Sequence, residues 1–141
     1  MSLAIYFCGS IRAGRQDVDL YGRLTDKLSK FGRILTPFVA DPLVTGMSGE
    51  HEENDRQIYD RDMELLDECD VVVAEVTVPS LGVGFEIGSA VAMGKRILCL
   101  YRPQPGKKLS AMILGMPESH GTVVEYAEDG IDAIFEEFFK K

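Results

Sequence analysis

Residues 71–101, VVVAEVTVPSLGVGFEIGSAVAMGKRILCLY, decide the fold. A wholly apolar run, Val71–Ala74 with Val76, gives way to a Pro-Ser-x-Gly-x-Gly turn, a helical pattern and a second apolar run, Ile97–Tyr101. Strands that are hydrophobic on both faces belong to a parallel sheet covered by helices, so the stretch reads strand, helix, strand. The turn after the first strand then lies at that strand's carboxyl end, where open α/β sheets bind ligands. With the helix read as about residues 84–93, Glu86 falls in its first turn, where the helix dipole and N–H groups favour an ionised carboxylate.

Working outward, Leu3–Cys8 is a short apolar run ending in Gly9-Ser10, a strand followed by a tight turn. Asp17–Phe31 repeats apolar residues at Leu20, Tyr21, Leu24, Leu28 and Phe31, which is helical spacing, and Gly32 suits a C-cap. Arg33–Val39 reads as a second strand, with Pro37 assigning it to an edge. Residues 40–51 carry Pro42, Gly46 and Gly49 with little periodicity and are long enough to form a flap over a site. A helix over 52–68 follows. Beyond the apolar run Ile97–Tyr101 come a helical turn at 109–114, a short strand at 122–126 and a terminal helix at 131–140. The pattern predicts one domain over residues 1–141: a doubly wound, flavodoxin- or Rossmann-like α/β fold. Its five-stranded, mostly parallel sheet has order 2-1-3-4-5 and helices on both faces.

A chain of 141 residues with 45% hydrophobic and 27% charged residues suits one such domain. It contains neither an apolar run of ~18 residues nor a basic-then-apolar leader, so membrane spans and secretion are not expected. The expected address is the cytoplasm, or the nucleus in a eukaryote. Cys8, Cys69 and Cys99 show no CxxC spacing and read as core residues, leaving no zinc site or disulfide framework. Net charge of −8 and pI near 4.7 disfavour a nucleic-acid polymer as partner but allow a small anion in a locally positive pocket. The acidic residues concentrated at 50–70 read mostly as a solvated helix face.

Three stretches carry candidate chemistry. Gly9-Ser10-Ile11-Arg12-Ala13-Gly14-Arg15 offers backbone N–H groups, a hydroxyl and two arginines, which suits a phosphate, though a plain turn with exposed arginines fits equally well. Asp62 falls on the apolar stripe Ile58, Leu65, Leu66, Cys69. Desolvation there makes it a candidate general acid; the competing reading is a buried aspartate paired with Arg61 or Arg12. Glu86 is the candidate nucleophile, approached closely past Ser80, Gly82 and Gly84, against the plainer reading of an acid at a helix start. Two differently tuned carboxylates are what glycosidic cleavage uses, ~5–5.5 Å apart in a covalent route. Tyr6, near the end of the strand Leu3–Cys8, needs a hydroxyl partner, which Glu86 or a ligand can supply. Ser110 reads as an N-cap, and His51 and His120 are isolated.

Taken together, Tyr-Phe-Cys-Gly-Ser-Ile-Arg (6–12), Arg61-Asp62, residues 70–77, Pro-Ser-Leu-Gly-Val-Gly-Phe-Glu-Ile-Gly (79–88) and Leu-Ser-Ala-Met-Ile (109–113) resemble the nucleoside 2-deoxyribosyltransferase superfamily. Within it they look most like the 2′-deoxynucleoside 5′-phosphate N-hydrolases. The resemblance runs from about Ala4 to Tyr126. It implies hydrolysis of a deoxynucleoside monophosphate to free base and 2-deoxyribose 5-phosphate, with Glu86 attacking C1′. By the same resemblance Asp62 assists base departure or activates water, and Tyr6 positions sugar and nucleophile. It implies a 5′-phosphate cradle of Gly9, Ser10, Arg12, Ser80 and Gly82, with Ile11 and Met112 also contacting substrate. It further implies a homodimer in which Ser110 reaches the partner's site, and no metal or organic cofactor. Two alternatives stand: base exchange by a transferase, and a nucleotide-binding module without turnover. The basic surroundings of Ser110 and the ending Phe138-Phe139-Lys140-Lys141 suit a phosphate better than a bare 5′-hydroxyl.

Overall fold

The computed structural model describes residues 3–11, 17–41 and 54–140. The apolar runs form β1 (Leu3–Cys8), β3 (Val71–Glu75) and β4 (Arg96–Tyr101), which lie side by side in the middle of one sheet. Short edge strands β2 (Gly32–Ile34) and β5 (Thr122–Glu125) complete the order β2-β1-β3-β4-β5. All four pairings are parallel, so the sheet is parallel throughout rather than mostly so. Tyr6 stands beside Val72, and Cys8 beside Ala74.

Alternation of side chains along each strand divides the core in two. On one face Ile5, Phe7, Val71, Val73, Leu98 and Leu100 meet Tyr21, Leu24 and Leu28 of α1 (Val18–Leu28) and Phe135 of α5 (Ile131–Phe139). On the other face Tyr6, Cys8, Val72, Ala74 and Cys99 meet Leu66 of α2 (Asp55–Glu68), Cys69 just beyond it, and Val83 and Ile87 of α3 (Leu81–Ala92). The three cysteines are buried and free, as core residues. Burial pushes the thiol of Cys99 up to about 12 and that of Cys69 up to about 11, so both stay neutral. A short α4 (Ala111–Leu114) follows β4. Among the described residues no helix is long and apolar enough to cross a membrane.

Several boundaries differ from the sequence reading, each for a local reason. The second strand stops at Ile34, and Pro37–Ala40 forms a 3₁₀ turn. Pro37 has no N–H for a ladder, and Thr36 Oγ1 takes the strand's place by accepting from Phe7 N at 3.0 Å and donating to Phe7 O at 2.7 Å. Gly32 is not a helix cap: α1 closes at Ser29, and Gly32 opens β2, where a Cβ would stand 2.4 Å from the Leu3 carbonyl oxygen. The second helix begins at Asp55, behind an Asn54–Gln57 capping box. The third begins at Leu81, three residues earlier than its periodicity suggests, because Ser80 Oγ accepts from Val83 N at 3.2 Å. Most of the expected flap, from residue 42 on, lies outside the described residues.

Phe135 has no exposed surface and packs edge-on against Phe31 and Phe139, each with ring centroids 6.4 Å away. Phe135→Ala is expected to cost about 3–5 kcal/mol, read as a lower urea midpoint at unchanged slope. Arg56→Ala, which removes an exposed pair with Asp60, leaves the midpoint in place.

Candidate active site

Because β1 and β3 are neighbours and both faces are covered, their carboxyl ends open a crevice where the order of the strands reverses. Tyr6, two residues from the end of β1, points to the α2/α3 face, where its hydroxyl donates to Glu86 Oε2 on α3. Burial, then the Glu86 carboxylate, pushes the Tyr6 phenol far above its ordinary range, so it stays protonated and remains the donor. The same two causes, in the same order, raise the Cys8 thiol beside it, which is therefore neutral and no nucleophile.

With α3 starting at Leu81, Glu86 is its sixth residue and sits in the second turn, not the first. The influence of a helix end fades within one turn, so Glu86 is held by Tyr6 rather than by the helix N-terminus. That N-terminus, Ser80–Gly82, still lines the same cavity.

Asp62 lies on the inward side of α2, its side chain 20% exposed. Arg61 donates to its Oδ1 from Nε at 3.0 Å and from Nη2 at 2.9 Å, while the guanidinium lies 3.7 Å over the Phe38 ring. Of the two readings open for Asp62, pairing with Arg61 is what the geometry displays, and the carboxylate nevertheless lines the cavity that Glu86 lines.

This cavity has a volume of about 560 Å³, the size of a small-ligand site. Cys8, Gly9 and Ile11 contribute the end of β1, α2 contributes Ile58, Tyr59 and Asp62, and α3 contributes Gly82, Phe85 and Glu86. The floor at Gly9 is tight: a Cβ there would meet the Tyr21 ring at 2.6 Å. Ser10 is fully buried, and its N–H donates to Tyr21 Oη at 3.0 Å, so α1 fixes the backbone that leaves β1.

Tyr6, Gly9, Ser10, Ile11, Asp62, Ser80, Gly82 and Glu86 thus gather at one end of the sheet. Arg12 lies outside the described residues. Ser110 and Met112 do not line the cavity within one chain: Ser110 Oγ accepts from Met112 N at 3.2 Å as the cap of α4, and Met112 is 83% exposed. The cavity's aromatic wall escaped sequence reasoning. Tyr59 and Phe85 both line it and pack against each other, with ring centroids 6.1 Å apart, and each is about half exposed. Their only signal in the sequence is that each lies one position beside an inward residue, Ile58 and Glu86. A second cavity, at the amino ends of β4 and β5, is lined by none of the candidate residues that are described. Among the described residues no cluster of three metal-ligating side chains occurs.

Residues 5–131 match the family model described as nucleoside 2-deoxyribosyltransferase. The 5-hydroxymethyl-dUMP N-hydrolase of Danio rerio is 52% identical over 137 residues, covering 96% of this chain and 95% of that protein. The protein of the same name from Homo sapiens is 50% identical over 138 residues, covering 97% and 79%. A putative 2′-deoxynucleoside 5′-phosphate N-hydrolase 1 of Nematostella vectensis is 48% identical over 141 residues, covering 96% and 92%. Among solved structures, a CMP N-glycosidase of Clostridium botulinum has the same fold, with a TM-score of 0.68 at 20% identity over 96% of this chain and 98% of that one. A match over most of the chain together with identities near one half places this protein in the nucleoside 2-deoxyribosyltransferase family.

Proposed function

We propose that this chain is an N-glycosidase that hydrolyses 2′-deoxynucleoside 5′-monophosphates to free nucleobase and 2-deoxyribose 5-phosphate. The observation that carries the reading is the Tyr6 hydroxyl bonded to the Glu86 carboxylate in a cavity that Asp62 also lines. The names of relatives at about 50% identity support the reaction class.

Glu86 attacks C1′ with one carboxylate oxygen while Tyr6 holds the other. The bond from C1′ to the base nitrogen breaks, its electron pair leaves with the base, and Asp62 or water supplies the proton. Water then attacks C1′ with Asp62 as the assisting base, the ester to Glu86 breaks, and the carboxylate is restored. The oxocarbenium-like transition state is stabilised by the adjacent negative charge. A 2-deoxy sugar lacks an electron-withdrawing 2-hydroxyl, which eases bond cleavage.

The 5′-phosphate is assigned to the carboxyl end of β1 and the start of α3, at Gly9, Ser10, Ser80 and Gly82 with Arg12. Backbone N–H groups at a helix start suit an anion, and binding so far from C1′ can orient the reacting centre. Ile11 borders the same space. Ser110 and Met112 fit a second subunit: they stand outside the cavity of their own chain, and Leu81, Phe85, Met112 and Leu114 are each large apolar side chains left exposed on this chain. The family's name favours a second reading, base exchange, in which a free base replaces water in the second step. The cytoplasm is the proposed compartment.

Purified protein incubated with 5-hydroxymethyl-dUMP is expected to release base and 2-deoxyribose 5-phosphate whether or not a different free base is added. A new nucleotide formed only with acceptor base would instead establish the transferase. Glu86→Gln is expected to lower kcat about 10³-fold or more while still binding the monophosphate; a folded variant with near-normal turnover removes Glu86 as nucleophile. If subunits share the site, mixing inactive Glu86→Gln with weakened Ser110→Ala protein restores activity as subunits exchange, and a mixture no better than its parts excludes the shared site.

A further inference from the structure

β3 ends in a charged residue. Alternation along the strand turns Glu75 to the α1/α5 side of the sheet, away from the face that holds Tyr6 and Ala74, and leaves it with no exposed surface. Its carboxylate accepts four hydrogen bonds. Thr77 N donates to Oε1 at 2.7 Å; Tyr126 Oη at 2.5 Å, Thr77 Oγ1 at 3.0 Å and Arg102 Nε at 3.2 Å all donate to Oε2. Arg102 also pairs with Asp17 through Nη2, and its backbone N–H donates to Thr77 Oγ1 at 3.0 Å. Burial works to lower the pKa of Arg102, but the charges of Glu75 and Asp17 outweigh it, and the guanidinium remains a cation. Burial and the bond to Glu75 raise the Tyr126 phenol, which stays a donor.

A buried ion pair is a poor way to gain stability, since well-packed apolar residues at the same place commonly do as well. The rest of β3, Val71–Ala74, is apolar and fully buried, so the strand itself needs no charge. What the carboxylate does is connect. Thr77 begins the segment that leads to Ser80 and α3. Arg102 begins the segment that leads to Ser110. Asp17 ends the segment that carries Arg12 and accepts, through its backbone carbonyl, the N–H of Tyr21 at 2.9 Å. Tyr21 in turn walls Gly9 and accepts the Ser10 N–H. Thr77 and Arg102 are thus tied directly to one buried carboxylate, and Asp17, with the Tyr21 that walls Gly9, is tied to it through Arg102.

We infer that Glu75 is the positioning residue of the phosphate subsite: through Thr77, Arg102 and Asp17 it sets the spacing between the ends of β1, β3 and β4, and with it the grip on the 5′-phosphate. The inference rests on the phosphate assignment made above. Glu75 makes no contribution to C1′ chemistry, because it faces the opposite side of the sheet from Glu86. Its loss therefore acts on binding of the phosphate and leaves the nucleophile in place.

The test compares kcat and KM for 5-hydroxymethyl-dUMP and for its nucleoside, 5-hydroxymethyl-2′-deoxyuridine, in the full chain and in Glu75→Gln and Asp17→Asn. In both variants KM for the monophosphate is expected to rise about tenfold, with kcat changed by less than about threefold and the nucleoside's kcat/KM unchanged. Asp17→Asn breaks only the outer link and keeps all four bonds of Glu75, so it stands in if Glu75→Gln does not fold. A merely structural role would weaken both substrates together or only lower Tm. Folded variants that keep the wild-type ratio of the two KM values would overturn the inference. Equal KM values for the two substrates in the wild type would overturn the phosphate assignment itself, and the inference with it, before any variant is measured.

Discussion

The hydroxyl of Tyr6 holds one oxygen of the Glu86 carboxylate, and the attack proposed for Glu86 depends on the direction that this bond fixes. The bond joins residues 80 apart, one on β1 and one on α3, so it exists only when both elements are seated. Pairing with β3 fixes β1, and burial of Val83, Ile87 and Ala90 fixes α3. Burial does a second thing at this point: it raises the Tyr6 phenol far above its ordinary range, so the hydroxyl stays protonated and remains the donor to Glu86. The cavity, the neighbouring Asp62 and the narrow floor at Gly9 are arranged around that pair.

The sheet allots different tasks to its two faces. Residues of β1 and β3 that point to the α2/α3 side reach the cavity or lie beneath it; those that point to the α1/α5 side reach the core and, at the end of β3, Glu75. A parallel sheet gathers the carboxyl ends of its strands at one edge, so loops distant in sequence become neighbours there. The buried carboxylate of Glu75 is one answer to the resulting problem of holding those loops in register. It does so from the face of the sheet opposite to the one that holds Tyr6 and Glu86.

The inner strands β1, β3 and β4 could be read directly, because burial on both faces writes an uninterrupted apolar run. The edges could not. The hydroxyl of Thr36, rather than any backbone pattern, ends the strand at β2. The start of α3 was hidden because Gly82 and Gly84 look like a turn, and a single bond from Val83 N to Ser80 Oγ decides otherwise. That shift moved Glu86 out of the first helical turn and changed what holds it. Asp62 was legible from its place on an apolar stripe, and Arg61 was already one of its candidate partners. Glu75 was not legible at all: in VVVAE it is the last letter of a strand, and its meaning lies in Arg102 and Tyr126, 27 and 51 residues away. Ser110 gives no sign of its proposed task within one chain, where it caps α4.

The proposed chemistry is a double displacement at C1′, and its stereochemistry reports on the nucleophile directly. Hydrolysis of 5-hydroxymethyl-dUMP in buffer containing methanol gives, besides free sugar, a methyl 2-deoxyriboside 5-phosphate whose anomer does not interconvert and can be assigned by proton NMR. Attack by Glu86 on the β-nucleotide followed by methanol attack on the glycosyl-enzyme predicts the β-methyl glycoside. Formation of the α-methyl glycoside would mean that solvent displaces the base in one step, and that no bond forms between C1′ and Glu86.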